Sequence, residues 1–252
     1  MANEIQIRFN SFALETNMTV ESISESEEKS VKITDIPKTD GSVAEIGKRK
    51  SLTITIKGKV YASDYDDLRT NIDNLKAALH GGIQKFTKDD DRFVMAQLKS
   101  FKPEVEDRGE MRCVGRYSAS FMAHYPFWQS ETLHTDTQQP TSGAGYTISN
   151  LGNAPARLKA ELYAGATISD NLQIENTTRG ELLKFRGIVV KGATIEIDNR
   201  FDTDEFEVLN NAVDAMTQFE GDFLNLSSGN NLIEYTGVAG ATVKLSWRDC
   251  WY

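Results

Sequence analysis

Hydrophobic and polar residues alternate along most of the chain, with the period of two that turns one face of a strand towards a core. Ile5-Gln6-Ile7-Arg8-Phe9 is the first such run, Val31-Lys32-Ile33 repeats it, and Leu52-Thr53-Ile54-Thr55-Ile56 continues towards Val60. Gln84–Thr87, Phe93–Leu98 and Met111–Met122 are further strand segments, the last ending in the aromatic run His124-Tyr125-Pro126-Phe127-Trp128. One stretch breaks the pattern. Tyr65, Leu68, Ile72, Leu75 and Leu79 fall at spacings of three and four, which predicts a helix over about 64–79. Ser63, three residues before Asp66, supplies an approximate capping box, and Gly81-Gly82 supplies the stop.

Between the second and third strand runs, Pro37 to Lys50 (PKTDGSVAEIGKRK) is polar, carries glycine and proline, and reads as a long loop closing on a basic trio. Connections beyond about 12 residues are usually functional or disordered. Residues 131–146 (ETLHTDTQQPTSGAGY) concentrate proline, glycine and polar residues, and read as a protease-sensitive connection between two domains, 1–135 and 136–252.

The second half is strand and turn: Arg157–Tyr163, Asn171–Ile174, Glu181–Phe185, Thr194–Ile197, Phe223–Leu226, Asn231–Tyr235 and Ala241–Trp247, spaced as in a sandwich. Residues 206–216 are ambiguous. Phe206, Leu209, Val213 and Met216 suit a helix, whereas Phe206 and Val208 before Asn210-Asn211 suit a hairpin, the reading favoured by strand-like surroundings. The fold class is mainly β.

Composition narrows the chemistry more than the fold. The 252 residues carry a net charge of −9, the wrong sign for a general nucleic-acid binder. Residues 1–140 hold 19 Lys and Arg against 22 Asp and Glu, and 141–252 hold 9 against 15, so neither half is basic. No stretch approaches the ~18 apolar residues of a membrane span, and the first residues lack a secretory pattern. Membrane insertion and a specific nucleic-acid partner are therefore not expected.

Cys113, Cys250, His80, His124 and His134 make no zinc spacing, and no acyl-transfer, Walker or dinucleotide motif is present. Asp89-Asp90-Asp91 and Asp202-Thr203-Asp204-Glu205 lack the glycine of a calcium loop. Solvated turns are the default reading of both. Trp247, Trp251 and Tyr252 suit either a sugar-stacking surface or core packing, and a terminal strand favours packing of Trp247. No cofactor, metal or catalytic residue is expected, and the chain reads as a non-enzymatic protein.

The order of segments resembles the distal tail (Dit) proteins of siphophage baseplates. The resemblance lies in LTITIKGKV, SDYDDLRTNIDNLKAALHGG and RYSASFMAHYPFW, then ISNLGNAPARLKAEL and ATIEID. It continues in GDFLNLSSGNNLIEYTG and closes with VKLSWRDCWY. It implies a tail-tube-like N-terminal β-sandwich with one helix and a galectin-like C-terminal β-sandwich. It implies a structural virion protein at the phage tail tip, made in the bacterial host cytoplasm. Six copies would close into a ring joining the tail-tube protein and the tape-measure protein end to the tail-associated adsorption protein, and in some phages to receptor-binding proteins. Another tail-tube or baseplate ring component, or a carbohydrate-binding adhesion module, are the alternative readings. Galectins hold galactosides with a His/Asn/Arg and Trp/Glu/Arg set, and residues 136–252 contain no histidine.

A closed ring needs two different complementary surfaces on each subunit. The expected elements are the loop 37–50 crossing to a neighbour, with Lys48, Arg49 and Lys50 meeting acidic groups there. The run Glu21–Glu28 and an edge strand bearing Leu52, Ile54 and Ile56 complete the expected interface.

Overall fold

Strand alternation becomes two compact units, Met1–Trp128 and Gln129–Tyr252. The computed structural model describes residues 7–9, 12–14, 18–35, 40, 42–88, 91–105, 113–168, 172–199, 205–238 and 240–252. Ile5 and Gln6 of the first strand run lie outside them, as do Asp89, Asp90 and residues 202–204 of the acidic clusters.

The first unit contains β1 (Ile7–Phe9), β2 (Phe12–Ala13), β3 (Met18–Asp35), β4 (Ser42–Tyr61), α1 (Tyr65–Leu79), β5 (Gln84–Lys88), β6 (Arg92–Val105) and β7 (Val114–Ala123). A short β8 (Trp128–Ser130) follows. The strands lie in the order β2-β1-β5-β6-β7-β4-β3, every described pairing antiparallel. Side chains directly opposite one another across β4 and β7 share one buried face and complement each other in size. Leu52 faces Ala123, Ile54 faces Phe121, Ile56 faces Ala119, Gly58 faces Tyr117 and Val60 faces Gly115.

At the Gly115 end the helix settles onto this face. Leu68, Ile72, Leu75 and Leu79 are buried, and a Cβ on Gly115 would lie 3.3 Å from Leu68 Cδ1 and 3.4 Å from Ile72 Cδ1. Tyr65, the first residue of the expected stripe, is half exposed. The helix cap sits one residue later than the sequence suggests. Asp64 Oδ1 accepts from the Asp67 N–H at 2.8 Å, while Asp67 Oδ2 reaches back to the Ser63 N–H at 3.0 Å. That is a reciprocal box built with aspartates. At the other end Phe121 lies 5.0 Å from Phe9 and 5.1 Å from Phe86, and Phe86 lies 6.2 Å from Trp128.

The second unit begins with β9 (His134–Gln138), β10 (Ala144–Asn150), β11 (Ala156–Tyr163), β12 (Leu172–Asn176), β13 (Glu181–Phe185), β14 (Thr194–Asn199) and β15 (Phe206–Asn210). It continues with β16 (Val213–Asp214), β17 (Phe219–Gly221), β18 (Asn225–Leu226), β19 (Gly229–Thr236), β20 (Thr242–Trp247) and β21 (Cys250–Trp251). One sheet runs β10-β19-β12-β13-β17, and the other β16-β15-β14-β11-β20-β9 with β18 beside β11. Leu158, Leu162, Ile195, Val243 and Leu245 of the second sheet are buried, as are Ile174, Leu183, Phe185, Ile233 and Tyr235 of the first. This mainly β architecture agrees with the sandwich expected from strand spacing.

Residues 206–214 form the hairpin, and Met216 begins a short 3-10 turn after it. Asn211 and Ala212 turn it with φ of 52° and 62°, the doubly left-handed geometry of a two-residue connection.

The expected connection 131–146 is corrected. Residues 134–138 are a strand paired with β20 from Trp247↔His134 to Val243↔Gln138, and 144–150 pair with β19. A break at 135/136 would fall inside β9. An edge strand has one neighbour and needs few apolar side chains, so His-Thr-Asp-Thr-Gln pairs well while looking like a linker.

Candidate assembly surface

Residues 42–50, expected in a loop, are the first half of a 20-residue strand. They pair with β3 through Asp35↔Ser42, Ile33↔Ala44, Val31↔Ile46 and Lys29↔Arg49. Polar composition suggested a loop, but a two-stranded ribbon presents both faces and both edges to its surroundings and needs no apolar run. Its register slips between Glu27 and Lys29 and between Lys29 and Val31, bulges that bend and twist such ribbons.

β7 accompanies β4 only as far as Leu52↔Ala123. β3 ends the sheet order, so beyond Leu52 the ribbon has no further strand neighbour among the described residues. Val31 is 55% and Ile33 65% exposed. An isolated two-stranded ribbon is marginally stable at best in water.

The ribbon's root is fastened by charge. Glu27 pairs with Arg49 at 2.7 Å, and the Arg49 guanidinium lies 5.8 Å from the Phe127 ring centre. Glu25 Oε1 accepts from Lys88 Nζ at 3.0 Å, and Glu21 pairs with Lys59. The hydrogen bond and charge of Glu21 hold the Lys59 ammonium above its ordinary pKa. At the far end of the same strand pair, opposite Gly58, Tyr117 is pushed up to about 12 by burial, with the Glu21 charge adding to the effect.

These contacts change the expected interface. Glu21, Glu25 and Glu27 are satisfied within their own unit, so the acidic run is mainly an anchor for the ribbon. Arg49 belongs to the same anchor, whereas Lys48 and Lys50 are exposed and have no ion pair among the described residues. Leu52, Ile54 and Ile56 do not lie on an edge strand. They are 1%, 0% and 0% exposed, between β3 and β7, and serve the unit's own core. The open edges belong to β3 and to the ribbon half of β4. The alternation at Val31–Ile33 is not continued across the turn, because Val43 and Ile46 stand three residues apart and Gly47–Lys50 carries no apolar side chain.

In the second unit the segment carrying the resemblance is held by buried amides. Asn231 Oδ1 accepts from the Ser227 N–H at 2.8 Å and from Asn176 Nδ2 at 3.2 Å. Its own amide donates to the Ser227 and Gly229 carbonyls. Asn199 donates to Asn225 Oδ1 at 2.8 Å and to the Leu224 carbonyl at 2.9 Å. The asparagines and glycine of GDFLNLSSGNN therefore satisfy backbone in a tight strap.

Trp247 is buried, stacks 5.6 Å from His134, and donates from Nε1 to the Ser149 carbonyl. His134, which the expected boundary placed in the first domain, lies in the second unit and meets buried Asp249 at 3.0 Å. Among the described residues no three His, Cys, Asp or Glu side chains gather as metal ligands. Among the described residues no helix is long and apolar enough to cross a membrane.

Residues 151–251 match the family model of the siphovirus-type tail component, C-terminal domain. The fold of the whole chain matches SPP1 Dit (gp 19.1), described as a paradigm of the hub adsorption apparatus in phages infecting Gram-positive bacteria. The TM-score is 0.73 at 14% identity, over 98% of this chain and 99% of that one. A chain of the phage p2 baseplate in its activated conformation matches with a TM-score of 0.45 at 8% identity, covering 96% of this chain and 97% of its own. No curated protein matches the sequence. Residues 151–251 are thus similar to the C-terminal domain of siphovirus-type tail components, and the whole chain shares the fold of SPP1 Dit.

Proposed function

We propose that the chain is a non-enzymatic baseplate hub subunit, six copies of which close into a ring at the phage tail tip. The ring joins the tail-tube protein and the tape-measure end to the tail-associated adsorption protein, and offers a seat for receptor-binding proteins. Its subunits are made in the host cytoplasm. Residues 1–128 form the ring in this reading, as a tail-tube-like domain, and 129–252 form a galectin-like domain.

One observation carries the reading: the β3–β4 ribbon, with open edges and exposed Val31 and Ile33, is a surface a neighbouring copy can complete. A heterologous contact of this kind generates a closed ring when its rotation closes. Lys48, Arg49 and Lys50 accompany it. Lys48 and Lys50 provide charge at its margin, where each exposed pair contributes only about 0–1 kcal/mol, and Arg49 keeps the root in place. Leu52, Ile54 and Ile56 contribute indirectly, by holding the ribbon's base in the core.

Replacing residues 28–51 by a short Gly-Ser turn between the paired residues Glu27 and Leu52 tests this reading. The shortened chain should unfold cooperatively yet run as a monomer in light scattering. A ring of unchanged mass from the shortened chain would refute the ribbon's role.

A further inference from the structure

Strand β10 is an open edge without the usual protection. Natural edge strands are blunted by charge, proline or bulges, whereas Ala144-Gly-Tyr-Thr-Ile-Ser-Asn150 has none of these and pairs with β19 in unbroken register. The hydrogen-bonding phase follows from its neighbour. The Leu232 carbonyl accepts from the Thr177 N–H on the β12 side, so Ile233 directs its groups to β10 and pairs with Tyr146. Gly145 and Thr147 consequently point their N–H and C=O groups outwards. Both residues are exposed, and among the described residues neither has a partner off β19. Only Ser149, further along, has its outward carbonyl occupied, by Trp247 Nε1.

The sheet face behind this edge carries an unbalanced charge. Glu234 stands directly opposite Gly145 on one side and Glu175 on the other. Like charges directly across a ladder are destabilising, and neither carboxylate has an ion pair or hydrogen bond among the described residues. With no side chain of its own, Gly145 lets Leu232 and Glu234 come close over it, Leu232 Cδ1 and Glu234 Cγ lying 3.1 and 3.3 Å from where a Cβ would stand. A strand added beside β10 would sit ~5 Å from it. A long basic side chain opposite Gly145 would then have Glu234 as the nearest charge across the glycine.

We propose that β10 accepts an extended segment of a partner protein by strand addition, with a lysine or arginine of that segment opposite Gly145 and directed at Glu234 and Glu175. Backbone pairing supplies the attachment and the carboxylate pair sets the register, the usual division of labour in strand addition. A bound metal ion is the poorer occupant, because among the described residues the two carboxylates have no third ligand beside them.

The probe is a fluorescent peptide, Thr-Val-Arg-Val-Thr, with a Glu-for-Arg control, titrated into the full-length chain and followed by anisotropy. The Arg peptide should bind several-fold tighter than the Glu peptide. E175Q/E234Q should abolish that preference. Thr147→Pro, which removes an outward N–H without touching the β19 ladder, should abolish binding altogether. Equal binding of the two peptides, no binding of the Arg peptide, or unchanged binding by both variants would overturn the proposal. Should Thr147→Pro fail to fold, the carboxylate variant and the control peptide decide alone.

Discussion

The Trp128 indole N–H donates to Glu25 Oε2 at 3.1 Å, joining the last residue of the first unit to the ribbon strand β3. The other oxygen of the same carboxylate holds Lys88, whose ammonium lies 5.7 Å from the Trp128 ring centre. Glu25 sits opposite Ile54 in the ladder, on the face that is core one strand further in. A carboxylate there replaces apolar packing with a fixed anchor at the point where the ribbon leaves the sheet.

Removing that anchor should cost stability and order. Glu25→Ala leaves a buried indole N–H and a lysine unpaired, a loss of about 1–3 kcal/mol. Denaturant unfolding should shift accordingly, and tryptophan emission should move to the red as water reaches Trp128. An unchanged midpoint would show that the pair is incidental.

Alkaline pH should weaken the fold through buried tyrosines. Tyr117 keeps its proton in the fold up to about 12, whereas an unfolded tyrosine ionises near 10. Between those values the folded state binds more protons, so the contribution is complete below about pH 10 and is lost as pH rises towards 12. Tyr146 and Tyr235 are raised in the same direction by burial. Urea midpoints measured from pH 9 upwards should fall, and Tyr117→Phe should make that fall shallower. An identical slope in the variant would contradict the assignment.

Gly58 should not tolerate a side chain. Its added Cβ would lie 1.8 Å from the Thr19 carbonyl oxygen, beside the register shift between Val20 and Ser22. Gly58→Ala should therefore destabilise the first unit by about 1–3 kcal/mol, seen as a lower melting temperature. Gly143→Ala meets no atom within 4 Å but adopts φ of +79°, so its cost is backbone strain alone, about 1 kcal/mol.

The end of the chain in the second unit should depend on Asp249 for its stability. Its carboxylate accepts from the Leu151 N–H at 2.9 Å and meets His134 Nε2. Asp249→Ala should lower stability by about 1–3 kcal/mol in chemical denaturation. Retention of the wild-type midpoint would show that neither bond matters.

The sequence was most legible where burial imposed a period. Leu68, Ile72, Leu75 and Leu79 announced the helix, and Leu52, Ile54 and Ile56 announced a strand, though not that it lies between two neighbours. Trp247 was legible too, as a core residue closing a terminal strand. The polar strands were harder to see. β9 has no apolar side chain, and the ribbon residues Ser42–Lys50 mix Val43 and Ile46 with glycine and lysines, so hydrogen bonding shapes them with little help from hydrophobic contrast. Sequence spacing could not show that Glu21, Glu25 and Glu27 find Lys59, Lys88 and Arg49 from distant strands. Candidate interface residues therefore became internal anchors, and the open edge appeared only with the strand order.

The most direct test of the account is the mass of the wild-type chain in solution, by light scattering coupled to size exclusion. The ring reading predicts a species of six times the 28.1 kDa chain, showing six-fold symmetry in negative-stain micrographs. A monomer that persists as concentration rises would contradict it.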